Sequence, residues 1–226
     1  MTDDPVRVAH DSGFPPFAEV KDGRSEGLAV DIFRAVAARA GVDVKFVPVA
    51  FEQRQLTLAD GRADAYFPLS ITSERLQLFD FSDVLVASGA SLFVRASDVP
   101  PESLAALADK VVVTPWTGPV APFIQKTAPA VKLVVTADYE ESLGHLVRGE
   151  AAAAALSYHV GSRIADGLYP GQVVSSPHMF LELPFTVAVP KGKRGELLAR
   201  LNAGIASIRA DGTWHQINEH WRSHEF

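Results

Sequence analysis

Two hydrophobic periods alternate along the first third of the chain, one typical of strands and one typical of helices. Residues 6–11, VRVAHD, alternate apolar and polar side chains as a strand does. Residues 27–41 place their apolar side chains on one helical face and stop at Gly41, a residue type that commonly ends helices. The turn-rich SGFPPF predicts a loop, and a strand, a helix and a strand follow in VDVKFVPV, FEQRQLTLADG and ADAYFPL. The pattern predicts a β-α-β-α-β beginning.

The same alternation returns in the second half of the chain. KVVVTP and VKLVVT predict strands on either side of a short helix, VAPFIQKT. Asp138, followed three residues later by Glu141, is a capping-box pattern that begins the next helix. Gly149 closes that helix, so we interpret the alanine-rich run after it as a buried strand. FTVAVP predicts a further strand, and two amphipathic helices divided at Gly212 follow it.

Strands that alternate with helices predict parallel sheets joined by right-handed crossovers, which is an α/β fold. Ligands of such sheets bind beyond the carboxyl ends of the strands. The loops that leave these ends begin near four polar residues, Asp11, Ser70, Thr117 and Ser157. A chain of 226 residues with 47% apolar side chains is long enough for one large domain or two small lobes. We expect the four loops to form one site if two sheets face each other.

Composition and charge exclude several classes of function. The net charge is −6 and no segment collects the basic residues into a stripe, so no nucleic-acid partner is expected. The chain has no cysteine, which excludes disulfides and thiolate chemistry. No apolar run reaches the roughly 20 residues that cross a bilayer, and the first residues lack the features of a signal peptide. We expect a soluble chain whose signal peptide or anchor, if the protein is exported, has been removed.

Catalytic and metal-binding motifs are missing from the sequence. There is no GxSxG elbow, no phosphate-binding GxxxxGKS/T loop and no HExxH pair. We therefore expect no cofactor and no metal. Glu182 and His178 are the best candidates for an acid and base pair, but side chains of these types in loops are usually solvated. An enzymatic role is not expected.

Arg75 occupies an unusual place in the segment LSITSER. Thr72 can cap a helix, which would place the Arg75 guanidinium in the first turn, where the helix dipole favours an anion. A guanidinium binds a carboxylate through two parallel hydrogen bonds, and N–H groups near Ser70 would add donors. The hypothesis is a bound anion with Arg75 as its partner. The alternative is a surface arginine paired with Glu74 or Asp80.

Other loop residues have both a binding and a structural interpretation. Thr117 could offer its hydroxyl and N–H to a ligand or cap a helix, and Trp116 could line the site or anchor the core. Asp11 could accept a hydrogen bond from a ligand or form an Asx-turn. His10 shares strand parity with apolar residues and is predicted to be interior. Aromatic side chains beside predicted loops are more often core than contact, which applies to Phe14, Phe17 and Phe51.

Four stretches resemble the family 3 extracellular solute-binding proteins, the periplasmic amino-acid receptors of ABC transporters. They are GFPPFAEVKDGRSEGLAVDIFRAVAARAG, LADGRADAYFPLSITSERLQLFDFS, LVRGEAAAAAL and IRADGTWHQINEHW. The second is the specific one, because it joins a G-x-x-D signature to the pattern T-x-x-R-x-x-x-F-x-F-S. The resemblance implies a two-lobed type II periplasmic binding protein, a Venus flytrap with a mainly parallel sheet in each lobe. It implies lobe I at 1–89 and 187–226, lobe II at 90–186, and a double crossover between them.

The resemblance also implies roles for individual residues. In family members the arginine at the position of Arg75 holds the ligand's α-carboxylate, helped by the backbone near Ser70. The threonine at the position of Thr117 contacts the ligand from the other lobe, and an aromatic residue at that of Phe51 packs on its body. Asp11 lies where some members contact the ligand's side chain.

Departures from the family pattern change the expected ligand. The lobe II carboxylate that holds the α-ammonium in amino-acid binders is replaced by Ser157, and the usual aspartate after the glycine is Ala152. Pro68 stands where amino-acid binders often have a serine. A buried ammonium without a charged partner is costly, although Asp11 or Glu182 could substitute as that partner. We therefore expect a carboxylate that lacks the α-ammonium.

The resulting expectation is a monomeric periplasmic protein that captures a small organic anion by hinge closure. It would deliver the ligand to an ABC permease or, as part of a receptor, signal across the membrane. Two alternatives stay open. One is an enzyme on the same scaffold, of the cyclohexadienyl dehydratase type, and the other is an interaction domain without a ligand.

Overall fold

The computed structural model describes residues 4–50, 53–116 and 118–223. The strands are β1 (Val6–Asp11), β2 (Gly13–Phe14), β3 (Ala18–Lys21), β4 (Arg24–Glu26), β5 (Val44–Val49), β6 (Ala65–Ser70), β7 (Phe79–Phe81), β8 (Gly89–Arg95), β9 (Val111–Pro115), β10 (Lys132–Thr136), β11 (Ala153–Ser157), β12 (Val173–Glu182) and β13 (Phe185–Pro190). The helices are α1 (Leu28–Ala40), α2 (Arg54–Ala59), α3 (Arg75–Leu78), α4 (Val120–Thr127), α5 (Tyr139–Val147), α6 (Tyr158–Leu168), α7 (Gly195–Ala210) and α8 (Thr213–Ser223), with a 3-10 helix at Leu104–Leu107. None of the described helices has the length and the apolar character needed to span a bilayer.

The described chain divides into two compact units. The first unit runs up to Ala87 and resumes at Pro184, and the second comprises Ser88–Leu183. The chain therefore leaves the first unit and returns to it. The boundaries expected from the sequence, after residues 89 and 186, lie close to these positions.

A five-stranded sheet in the order β5-β1-β6-β13-β7 forms the centre of the first unit. β5, β1 and β6 are parallel, in agreement with the β-α-β-α-β pattern. β13, which follows the return of the chain, is antiparallel to both β6 and β7. The sheet is therefore mixed, with parallel strands on one side and the antiparallel returning strand on the other.

The first unit has an aromatic core that encloses a histidine. Phe33 and Phe67 stack with ring centroids 4.5 Å apart, and both side chains are fully buried. His10 is 0% exposed and lies 5.9 Å from the ring of Phe67. Its Nδ1 donates to the carbonyl oxygen of Asp11 and its Nε2 accepts from the Ser25 hydroxyl, both at 2.7 Å. The prediction of an interior histidine is confirmed, and burial lowers its pKa.

A small antiparallel sheet, in the order β2-β3-β4, begins inside the predicted loop SGFPPF and continues beyond it. The loop prediction is wrong at Gly13 and Phe14, which form β2. Strands this short show no alternation that a pattern could detect. The available signal is the Asp22-Gly23 pair, which has φ values of 50° and 74° and joins β3 to β4. Two left-handed residues of this kind are typical of a type I′ hairpin turn.

The second unit is built on a sheet in the order β10-β9-β11-β8-β12. β10, β9 and β11 are parallel, and β8 is antiparallel to β11 and β12. The alanine run forms β11 with residues 153–155 fully buried, which confirms the predicted strand. The predicted cap of α5 is also present, because Asp138 Oδ1 accepts the N–H of Glu141 at 2.8 Å. Glu141 Oε2 in turn accepts the N–H of Ala137 at 2.6 Å.

A buried carboxylate ties together distant segments of the first unit. Asp64, the aspartate of the G-x-x-D signature, is 8% exposed. Its Oδ2 accepts the backbone N–H of Arg7 at 2.9 Å, and its Oδ1 pairs with Arg194 just before α7. Burial alone would raise the pKa of Asp64, but the hydrogen bonds from Arg7 and the charge of Arg194 lower it overall. The signature thus has a structural role in this chain.

Close packing of α7 on α1 requires a glycine. A Cβ added at Gly204 would lie 2.6 Å from the carbonyl oxygen of Val36. We expect Gly204→Ala to lower the free energy of unfolding by about 1–3 kcal/mol, the usual cost of overpacking, although alanine normally stabilises a helix. Urea unfolding followed by circular dichroism measures the change.

Gly167→Ala in α6 is the matched control, because a Cβ added there meets nothing within 4 Å. We expect this variant to be more stable than the parent by up to about 1 kcal/mol. If both variants were equally stabilised, the close approach of α7 to α1 would be contradicted.

Candidate ligand-binding site

Three of the predicted site residues meet at the carboxyl edge of the first unit's sheet. β1 and β6 are parallel with His10 opposite Phe67, so the next residues, Asp11 and Pro68, lie side by side. Ser70 is the last residue of β6 and lies further along the same edge. Ligands of parallel strands bind at this kind of edge.

The Arg75 side chain turns back to the end of β6. Its Nη1 donates to the carbonyl oxygen of Ser70 at 2.7 Å and to the hydroxyl oxygen at 2.8 Å. Thr72 Oγ1 accepts the N–H of Arg75 at 3.2 Å, so Thr72 caps this turn as the sequence predicts. Of the two acids that the alternative interpretation pairs with Arg75, Glu74 and Asp80, Asp80 pairs with Lys191 at 2.8 Å.

The contact between Arg75 and Ser70, more than a helix dipole, orients the guanidinium. The helix dipole contributes little here because α3 has only four residues. A guanidinium is planar, so the two hydrogen bonds of Nη1 also set the direction of its other donors. The Ser70 hydroxyl accepts from Arg75 and keeps its own proton to donate. Both side chains therefore present donors, which is the chemistry that binds an anion.

The two carboxylate oxygens of Asp11 differ in their hydrogen bonds. The residue is 5% exposed, and Oδ1 accepts the N–H of Gly13 at 2.9 Å. The Asx-turn that the sequence offered as an alternative is therefore present. Oδ2 takes no hydrogen bond from the part of the chain that the structure describes. Asp11 therefore forms the turn through Oδ1, and its Oδ2 can still accept a hydrogen bond from a ligand.

Aromatic rings line the same edge of the first unit. Phe14 is half-buried, and its ring centroid lies 5.1 Å from that of Phe17 and 5.7 Å from that of Phe185. Phe185 pairs with Ser70 across β13 and β6. Phe17 is fully buried, which agrees with the core interpretation, whereas Phe14 lies at the margin of the core. Sequence reasoning missed Phe185, because only the strand pairing brings it beside Ser70.

The carboxyl edge of the second unit's sheet brings Trp116 and Ser157 together. β9 and β11 are parallel neighbours with Ala153 opposite Val112 and Ala154 opposite Val113. Continued three residues further, this register aligns Ser157 with Trp116, the residue after β9. The Trp116 side chain is 69% exposed. The alternative of a core anchor is therefore wrong for Trp116.

Ser157 ends β11 and precedes α6, and its side chain does not cap that helix. Tyr139, the first residue of α5, lies beside it. Burial raises the pKa of Tyr139, and hydrogen bonding to the backbone and hydroxyl of Ser157 opposes the change. Sequence reasoning missed Tyr139, because it identified the start of α5 but not the strand end that α5 faces.

The other two departures from the family pattern are Ala152, just before β11, and Pro68, in β6. Ala152 is half-buried, its N–H donates to the carbonyl oxygen of Val111 at 2.9 Å, and its methyl group packs on the core of the second unit. Pro68 is buried within β6. Neither side chain offers a polar atom to a ligand.

Several expected residues are not brought into a site. Phe51 and Thr117 lie outside the described residues. His178 and Glu182 are both exposed on β12, and no ion pair or hydrogen bond joins their side chains in the described chain. The described residues also contain no cluster of His, Asp and Glu side chains that could hold a metal ion.

The model of the bacterial extracellular solute-binding proteins, family 3, matches residues 6–224. The chain belongs to this family. Two relatives of this family 3 protein have names that state a ligand. The ABC transporter glutamine-binding protein GlnH of Bacillus subtilis (strain 168) is 28% identical over 204 residues, which cover 88% of this chain and 73% of the relative. The L-arginine-binding protein of Pseudomonas aeruginosa is 27% identical over 244 residues, which cover 98% of this chain and 89% of the relative.

Solved structures share the fold of this family 3 protein. The second substrate-binding domain of Lactococcus lactis GlnP, in an open conformation, has a TM-score of 0.82 at 23% identity and covers 98% of this chain and 96% of that domain. An ancestral amino-acid-binding protein, described as a precursor of cyclohexadienyl dehydratase, has a TM-score of 0.66 at 26% identity and covers 96% of this chain and 94% of that protein. The expected type II periplasmic binding fold is confirmed.

His159, which follows Ser157 in the first turn of α6, gives the second unit a pH-dependent stability. Burial lowers the pKa of His159 to about 4. In the unfolded chain its pKa is near its ordinary value of about 6.5, so the unfolded state takes up the proton first as the pH falls. Stability is therefore lost as the pH falls from about 6.5 towards 4, and the loss between pH 7 and pH 5 should be about 2 kcal/mol.

We expect His159→Gln to remove this part of the pH dependence, measured by urea unfolding at pH 7 and pH 5. His215→Gln, which changes an exposed histidine of α8, is the control and should follow the parent. A His159 variant that loses as much stability as the parent on acidification would contradict the assignment.

Proposed function

We propose that this protein binds a small organic anion, a carboxylate without an α-ammonium group, by closure of its two lobes. The observation that carries the proposal is the strand end at Ser157. A hydroxyl stands there at the position where, by resemblance, amino-acid binders of the family have a carboxylate for the ligand's ammonium. The ligand's anionic end would be held in the first unit.

The contact between Arg75 and Ser70 supports the anionic half of the proposal. Nη1 of Arg75 is hydrogen-bonded to both oxygens of Ser70, so the guanidinium is oriented before a ligand arrives. A hydrogen bond to a charged group contributes roughly 1.5–3 kcal/mol. A planar carboxylate can take two such bonds from one guanidinium, which favours it over a neutral ligand.

The acidic side chains of the second unit support the proposal that the ligand has no ammonium group. The acidic side chains that follow β10, Asp138 and Glu141, are engaged in the cap of α5. An ammonium brought to the edge near Ser157 would lose its water without gaining a charged partner. Asp11 Oδ2 in the first unit is the acceptor that would favour an amino acid instead, and the names of the two relatives favour one as well.

We propose that the partner is an ABC permease, to which this protein delivers its ligand. The Bacillus subtilis relative is named as a binding protein of an ABC transporter, and the family is extracellular. We propose that the protein acts in the periplasm as a monomer. A membrane receptor module is the alternative partner, for which no described residue provides a specific argument.

We propose that the ligand leaves unchanged. The candidate acid and base of the sequence analysis, Glu182 and His178, are exposed, and no hydrogen bond or ion pair joins their side chains in the described part of the chain. General acid–base catalysis needs groups within hydrogen-bond reach of the reacting atoms. The similarity to a precursor of cyclohexadienyl dehydratase makes turnover the second candidate. Incubation with prephenate and arogenate would test it, and product formation would overturn the binding proposal.

A thermal-unfolding panel of amino acids, dicarboxylates, keto acids and aromatic acids would test the ligand class. A ligand at a hundred times its Kd stabilises the folded state by about 2.7 kcal/mol, which should raise the Tm of a chain this size by roughly 5–10 °C. We expect carboxylates without an amino group to give the shift. Arg75→Gln should abolish it, while Arg34→Gln, at an exposed arginine of α1, should not. A full shift with Arg75→Gln would remove Arg75 from the site.

Ser157→Asp would restore a carboxylate at the strand end. We expect this variant to gain at least about tenfold in affinity for the α-amino analogue of the bound carboxylate, because a charged partner then replaces lost water. Ser157→Asn has the same shape without the charge and should not show the gain. Isothermal titration calorimetry measures both variants. An amino acid that bound the parent more tightly than its deaminated analogue would contradict the proposed ligand class.

A further inference from the structure

Trp116 differs from the other two tryptophans of the chain. Trp214 and Trp221 are half-buried, and each donates its Nε1–H at 2.9 Å, to the carbonyl oxygen of Leu85 and to Asp31 Oδ2. Trp116 is 69% exposed. An indole that is neither packed nor hydrogen-bonded in the described chain contributes little to folding, so its position calls for another explanation.

The backbone around Trp116 is held in place. Its N–H donates to the carbonyl oxygen of Thr136 at 3.0 Å, which joins it to the end of β10. Two residues before Trp116, Thr114 Oγ1 donates to the carbonyl oxygen of Ala155 at 2.7 Å and ties β9 to β11. Trp116 is thus anchored at the carboxyl edge, opposite Ser157. An exposed indole in such a place can accept a flat apolar group on its ring face.

The first unit has aromatic rings at its own carboxyl edge. Phe14 is half-buried at the margin of the core and packs on Phe185, which pairs with Ser70. The anion-binding donors of Arg75 and Ser70 therefore have an aromatic neighbour. Each edge separately combines polar donors with an aromatic ring, the combination that suits a planar ligand with one charged end.

We propose that the ligand is an aromatic carboxylate and that its ring stacks on Trp116. The inference rests on the proposed function, since it specifies the body of the carboxylate bound there. An offset-stacked pair of aromatic rings is favourable beyond its buried area, which gives about a three- to tenfold preference over a saturated ring of the same size. The indole of Trp116 is uncharged, so stacking on it beside Ser157 does not require an ammonium group on the ligand.

Matched pairs of ligands would test the proposal. Benzoate, phenylacetate and 3-phenylpropionate would each be titrated by calorimetry against the cyclohexyl counterpart, so that carboxylate and chain length are the same within a pair. In the parent, at least one aromatic member should bind at least about threefold more tightly than its counterpart. Trp116→Leu should remove the preference and weaken aromatic ligands about tenfold, whereas Trp116→Phe should keep part of it.

Controls separate this inference from the proposed function. Trp214→Phe changes a tryptophan outside both edges and should leave the preference unchanged. Equal binding of aromatic and saturated partners, with dependence on Arg75, would overturn the stacking inference and leave the proposed function standing. Aromatic preference that survives Trp116→Leu would also overturn it. Failure of all carboxylates to bind the parent would overturn both.

Discussion

Strand β6 is paired along both of its edges, parallel to β1 and antiparallel to β13. Thr186 Oγ1 in β13 also donates to the carbonyl oxygen of Leu69 at 2.7 Å, beside the last residue of β6. A slip of one residue in such a strand would turn every side chain to the other face, so the position of Ser70 is strongly specified. Because Arg75 Nη1 is hydrogen-bonded to Ser70, the pairing of β6 also specifies where the guanidinium lies. The placement of the Arg75 and Ser70 donors in the first unit depends on this one register.

The two sheet edges differ in charge, and the difference limits what can bind. The first edge has Arg75 together with the carboxylate of Asp11, while the second has the indole of Trp116 and the hydroxyl of Ser157. The acids nearest the second edge already satisfy the N–H groups at the start of α5. At each edge separately, a charged group that leaves water needs a partner of opposite charge. The first edge offers partners of both signs, and the second offers a hydroxyl and an indole.

The buried polar groups of the first unit serve the fold. The imidazole of His10 is satisfied by Asp11 and Ser25, and the carboxylate of Asp64 by Arg7 and Arg194. A group whose hydrogen bonds are already used in the core cannot move a proton to or from a ligand without losing them. The unit thus presents donors and acceptors at its edge while its interior titratable groups stay occupied.

Local patterns determined the type of most elements. The end of α1 at Gly41, with φ 62°, the cap at Asp138 and the buried strand in the alanine run all follow from neighbours in the sequence. The segment LSITSER, and then the family resemblance, singled out Arg75 and Ser70, which the structure joins by two hydrogen bonds. The ligand contacts expected of Phe51 and Thr117 stay predictions.

Only the tertiary structure decided which side chains share an edge. Phe185 reaches Ser70 because β13 returns from the far part of the chain and pairs with β6. Trp116 could be a core anchor or an exposed ring by sequence alone, and the register of β9 with β11 sets it opposite Ser157. Periodicity reports whether a segment buries one face, and it depends on residues close in sequence. The choice of neighbouring strand, and the exposure of one aromatic ring over another, depend on contacts between residues far apart in the chain.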